Sequence, residues 1–199
     1  MEEIVPGIYH WTAMHPDIHQ RVSSYYVEPA GIVLDPFEPD DGWGFFDALD
    51  TPPQQVVLTI NLHWRHSDRF RDRYGATIRG SAHGMHRFDG SDRAVEPYDF
   101  GEEIAPGVTA REVGAIAPDD TVLHIAHGDG ALAFADGLIA PDAVLGFVPD
   151  FLMDDPAGTK RKLHDKLRGL LDLDFDALLF AHGRPIPNGG HSALHDFVK

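Results

Sequence analysis

Hydrophobic positions in the first two thirds of the chain fall in short runs, cut by glycine, proline and aspartate. EEIVPGIYHW, RVSSYYVE and AGIVLD predict successive strands of an opening antiparallel meander. GWGFFDAL predicts a short helix with Asp41 as its N-cap. QQVVLTIN, β-branched, continuous and preceded by Pro52-Pro53, predicts a buried strand. The spacing then turns helical in HSDRFRDRYG and stops at Gly75, with ATIRG the next strand. VEPYDFGEEI, GVTAREVG, DTVLHIA and GALAFADGLI form a second strand-rich stretch, and Gly128 and Gly130 are placed for a hairpin within AHGDG. Asp155-Pro156 supplies a cap and a first-turn proline for the clearest helix, whose apolar stripe is Leu163, Leu167, Leu170 and Leu171. FDALLFA predicts a further buried strand and NGGHSALHDFVK a terminal helix. Strands with helices interposed twice predict an α/β (α+β) architecture: two packed sheets with helices outside, a four-layer αββα sandwich in one domain over 1–199.

Composition changes this picture little, but it narrows the chemistry. With 199 residues, 43% hydrophobic and 24% charged, the chain can bury a substantial core. The absence of cysteine excludes disulfides and thiolate metal sites. The opening MEEIVPGIYHW carries acid where a signal peptide needs a basic stretch, and no apolar run approaches the ~20 residues of a membrane span. The expectation is a soluble cytoplasmic protein with no membrane partner. Thirty-two acids against 16 bases give a net charge of −16, which repels phosphate backbones and argues against a nucleic-acid partner. The basic cluster Arg65, Arg69, Arg71, Arg73 and Arg79 is interleaved with Asp68 and Asp72 and reads as a solvated helix face. A small-molecule substrate or ligand remains, with the oligomeric state open.

Thirteen histidines are the unusual feature, and position separates them. Four apolar runs end in residues that bind a metal or orient one that does. GIVL ends at Asp35, VVLTI is followed by Asn61, His63 and His66, ALAFA ends at Asp136, and DALLFA ends at His182. Strands of one sheet that end in such residues gather them along one edge, where ligand sites of layered folds form. A catalytic zinc needs about three nitrogen or oxygen donors and one open position. The histidines of the opening hairpin, of GSAHGMHRF and of the outer helices are not assigned as ligands.

TINLHWRHSDRFRDRYGA resembles the signature loop of the metallo-β-lactamase superfamily, in which a strand ends in H-x-H-x-D-H and a helix follows. AGIVLDP resembles the family's early strand ending in aspartate, GVTAREVGAIAPDDTVLHI the segment carrying the next histidine, ALAFADGLI the strand with the bridging aspartate, and LLFAHGRPI the last histidine strand. The likeness spans nearly the whole chain and implies the αββα fold. Within the motif, Asn61 stands at the first histidine, His63 keeps the second, Arg65 replaces the aspartate, and His66 keeps the last. Ala115 or Ile116 stands where the next histidine belongs, while Asp136 and His182 are kept.

The resemblance therefore implies a degraded two-metal site, at most mononuclear, with His66, Asp136 and His182 as metal ligands. Zinc, iron or manganese suits such a set. The catalytic candidates are His63, as general base or substrate contact, with Arg65 and Asp35. The implied activity is hydrolysis of a small ester, lactone or thioester. Arg65 keeps a second reading open. A guanidinium ~4 Å from another unit charge interacts by about 4 kcal/mol at an effective dielectric of ~20. An Arg65–Asp136 pair in place of any metal would make a non-catalytic binding or regulatory protein.

Overall fold

The computed structural model describes residues 1–199. One sheet has seven strands: β1 (Glu2–Val5), β2 (Ile8–Met14), β3 (Arg21–Val27), β4 (Ile32–Leu34), β5 (Gln55–Val57), β6 (Thr77–Ser81) and β7 (Glu96–Tyr98), paired in that order. Its first four strands are antiparallel neighbours; from β4 to β7 the pairing is parallel. The second sheet has the order β12-β11-β10-β9-β8, built from β8 (Glu103–Ala105), β9 (Val108–Glu112), β10 (Thr121–Ile125), β11 (Ala131–Phe134) and β12 (Ala177–Phe180). Only β11 and β12 are parallel in it. Four helices complete the fold: α1 (Gly44–Asp47), α2 (Ser67–Tyr74), α3 (Pro156–Arg168) and α4 (Gly190–Phe197).

The inner strands read as continuous apolar runs because both of their faces are covered. Period-2 alternation sends Ile32, Leu34, Val57, Leu123, Ala133 and Leu179 into a core between the two sheets. Their neighbours Val33 and Val56 face outwards and meet Phe46 of α1 and Phe70 of α2. On the other sheet Leu132, Phe134, Leu178 and Phe180 meet Leu163 and Leu167 of α3 and Leu194 of α4. Three cores between four layers make the αββα sandwich. No helix is long and apolar enough to cross a membrane.

Several local expectations change. Asp41 does not cap α1, which starts after Trp43 without a side-chain cap; Asp41 instead sits 3.6 Å from the amino terminus. VEPYDFGEEI is not one strand but two, β7 in the first sheet and β8 in the second, and Gly101, at φ 87°, turns the chain between them. QQVVLTIN stays in its ladder only to Val57. Beyond it Thr59 accepts a hydrogen bond from Thr121 of the opposite sheet (2.9 Å), so the run's end is drawn across the sandwich rim. Asp155 caps α3 as expected, its carboxylate accepting from the Gly158 N–H at 3.0 Å.

The two sheets are fastened where the site lies. Ser23 N–H donates to the Ala181 carbonyl (2.9 Å) and its hydroxyl to the Gly183 carbonyl (3.0 Å). The buried Tyr25 hydroxyl donates to the Phe180 carbonyl and accepts from the Phe180 N–H. These bonds hold β3, the partner of β4, against the carboxyl end of β12.

Candidate metal centre

The registers Leu34↔Val57 and Phe134↔Phe180 align the ends of the two parallel pairs. The residues just beyond them share the rim. His63 Nε2 lies 3.6 Å from Asp136 Oδ1, and His182 Nε2 lies 3.2 Å from the same oxygen. The donor atoms of His63, Asp136 and His182 all fall within 4.8 Å of one another. His63 is the most enclosed, its side chain 9% exposed, against 17% for Asp136 and 22% for His182, so the cluster opens on the His182 side.

Behind His63 stands Asp35. Its Oδ2 is 3.0 Å from His63 Nδ1 and accepts the Thr59 hydroxyl, while Oδ1 accepts the Thr59 N–H at 2.8 Å. Burial alone would raise the Asp35 carboxyl, but the adjacent His63 outweighs it and holds the group below its usual range. Burial likewise disfavours a charged His63, yet Asp35 and Asp136 on its two nitrogens push it up to about 9. Asp136 is partly buried, which would raise it, but its two histidine neighbours outweigh this and hold it well below the ordinary carboxylate range.

These donors fit a metal. Ligand distances of ~2.0–2.1 Å in a tetrahedral site imply donor separations of about 3.3 Å, close to the two edges at Asp136. A histidine whose second nitrogen is held by a carboxylate is the usual support for a ligating imidazole, and Asp35 provides it for His63. Gly183, directly after His182, has φ 118° and backbone of Ala140 only 2.2 Å from where a Cβ would stand. Only glycine lets the chain turn there, which fixes His182 at the rim.

The expected set of His66, Asp136 and His182 is not the one brought together. His63 occupies the cluster, and His66 points elsewhere: its Nδ1 accepts the Glu38 N–H at 3.1 Å and its ring packs edge-on against Phe37. The cause is local. Arg65 sits at φ 45°, a left-handed conformation rare outside glycine, and it redirects the chain before His66 opens α2.

Arg65 does point inward, but it does not pair with Asp136. One terminal nitrogen donates to the carbonyls of Ser23 and Asp35, both at 2.6 Å, and no carboxylate oxygen lies within 4.0 Å of the group. Its Nε and second terminal nitrogen are buried without partners. Asp35 likewise has positive φ, at 44°, so two strained non-glycine residues flank the site.

Asn61, Ala115 and Ile116 are fastened into the fold instead. Asn61 donates from its amide to the Ser81 carbonyl and accepts from the Ser81 N–H, both at 2.9 Å, while its own N–H donates to buried Asp119. Its side chain stitches the loop to β6 and is not one of the clustered donors. Ala115 and Ile116 pack against the outer core beside α3. Thr59 and Ser23 carry no metal-ligand chemistry and gave no sequence signal, yet they set the positions of Asp35 and of the His182 strand. Asp120 gave no sequence signal either: fully buried, with both carboxylate oxygens unpartnered, it is pushed far up by burial and by Asp136.

No family model matches the sequence, and no curated protein matches it either. Among solved structures, TTHA1623 in a di-iron-bound form superposes with a TM-score of 0.68 at 17% identity, over 92% of this chain and 96% of that one. The archaeal metallo-β-lactamase superfamily protein ST1585 from Sulfolobus tokodaii gives 0.65 at 14% identity, over 96% and 84%. A flavo di-iron protein from Thermotoga maritima gives 0.61 at 16% identity, this chain spanning 58% of its length. The chain therefore has the metallo-β-lactamase superfamily fold, an α/β sandwich with a candidate three-residue metal site at its rim.

Proposed function

We propose that the protein is a metal-dependent hydrolase working with one divalent transition metal, zinc, iron or manganese, on His63, Asp136 and His182. The observation that carries this reading is the convergence of three donors from distant parts of the chain, with Asp35 already placed behind one of them. When bound, the ion lowers the pKa of a coordinated water towards neutrality and polarises an acyl oxygen. Asp35 accepts the Nδ1 proton of His63 and so directs the Nε2 lone pair towards Asp136 and His182. Thr59 holds Asp35 in turn through two hydrogen bonds. Arg65, fastened to two main-chain carbonyls, keeps a permanent positive charge at the site, where negative charge develops during acyl transfer. A small ester, lactone or thioester suits a cluster that opens on one side of an acidic protein.

A second reading has its own support. His63, held between two carboxylates, forms a closed charge network without any ion, so the imidazolium rather than Arg65 would replace the metal in a non-catalytic binding protein. Metal analysis separates the two. The hydrolase reading expects about one equivalent of transition metal after loading, a melting temperature lowered by chelation, and turnover of small esters. Background metal after loading would remove it and leave the binding protein.

A further inference from the structure

One residue along the chain from His63 is a hollow of about 390 Å³ lined by Asn61, Leu62, His86, Arg87, Phe88 and Arg93. Its size falls within the range of small-ligand sites. Its charge is opposite to that of the chain as a whole, which carries twice as many acids as bases. The walls are built rather than accidental. The Arg93 guanidinium lies 4.7 Å over the ring of Trp64, a buried residue, and has no carboxylate partner. Trp64 is braced in turn by Phe88, ring centroids 5.9 Å apart. Arg87 is anchored through Nε alone, 3.5 Å from buried Asp119, which leaves its terminal nitrogens without a protein partner. Leu62, 63% exposed, adds an apolar surface directly before His63.

We propose that this hollow is an anion subsite, in which Arg87 and Arg93 take a small oxyanion, carboxylate or phosphate, on the part of the substrate remote from the scissile bond. A guanidinium presents paired donors that match either group, and stacking on Trp64 holds one of them in place with little loss of side-chain freedom. An apolar stem crosses Leu62 towards His63. The subsite rests on the hydrolase reading for its purpose, but not for its existence. It names the substrate class: small acyl compounds bearing an anionic group, rather than neutral ones.

The test has two arms. In the first, metal-stripped protein is titrated calorimetrically with inorganic phosphate and, separately, with butyrate. Saturable binding in the millimolar range is expected for at least one, and which one identifies the oxyanion. Arg93→Ala should weaken it at least fivefold, and Leu62→Asp, a change at an exposed position, should abolish it. No saturable binding of either anion, or binding unaltered in both variants, overturns the subsite. In the second arm, metal-loaded protein is given methyl butyrate and the singly charged monomethyl succinate. A preference in kcat/KM of at least tenfold for the charged ester, falling severalfold in Arg93→Ala, is expected; equal use of the two overturns the assignment of substrate class. Anion binding without any hydrolysis would fail the hydrolase reading while leaving the subsite standing.

Discussion

Two stretches of the same rim do different work. Around His63, Asp136 and His182 the donors remain, and every group behind them serves them: Thr59 holds Asp35, Asp35 holds His63, and Ser23 holds the carbonyls flanking His182. Around Asn61, Ala115 and Ile116 the same positions hold the fold together, through paired amide bonds to Ser81 and apolar contacts below α3. The contrast shows that a polar side chain at the rim can serve the fold rather than the donors. When the side chain's hydrogen bonds turn inward, the loop keeps its place and the neighbouring half keeps its geometry.

The largest expected effect breaks the donor half. Asp136→Asn should take metal content from about one equivalent to background and end ester turnover; retained stoichiometric metal, measured by elemental analysis, would show that the donors lie elsewhere. Next is Asp35→Ala, which strands buried His63 and should cost about 3–5 kcal/mol in denaturant unfolding. It should also weaken metal affinity by about 10–100-fold. An unchanged affinity would mean that Asp35 merely fills space.

Asn61→His tests the other half. A histidine there should bind no second metal and should destabilise by about 3 kcal/mol, because it abandons both Ser81 bonds and leaves the buried Ser81 N–H and carbonyl without those partners. Uptake of a second equivalent would erase the distinction between the halves. Arg65→Ala should cost less, about 2 kcal/mol, because it removes charge-assisted bonds to two carbonyls and does not unpair Asp136. A loss twice that size would argue for a direct pair with Asp136.

The smallest effect is a pH dependence at the edge of the donor half. His10 reaches Ser23 at 3.0 Å, and burial, then the amino terminus, lowers its pKa from 6.5 to about 4. The folded state thus prefers neutral His10. Its contribution is complete above pH 6.5 and declines as pH falls towards 4. Thermal melts across that window should show a shallower acid decline in His10→Gln; parallel curves would discard the assignment.

Periodicity carried the fold a long way. The runs around Val33, Val56, Leu132 and Leu178 are apolar at every position because both faces are covered, and this makes the sandwich legible in the sequence. The positions of Asp136 and His182 at strand ends were legible for the same reason: a strand's length and register fix where its last residue emerges. Which histidine joins them was not. The order of the motif favoured His66, but a single left-handed residue, Arg65, turns His66 towards Glu38 and leaves His63 facing the donors. One backbone dihedral in a loop leaves no mark on hydrophobic spacing.

The sequence by itself determined the layers, the strand ends and the chemical types that gather at one rim, since these follow from local periodicity and chain order. Only the tertiary structure decided which donors meet, where the Arg65 charge is spent, and that Asn61 is a fastening rather than a vacancy. Those outcomes depend on hydrogen bonds between residues tens of positions apart, such as Ser23 to Gly183 and Asn61 to Asp119, and partners so distant are chosen by packing.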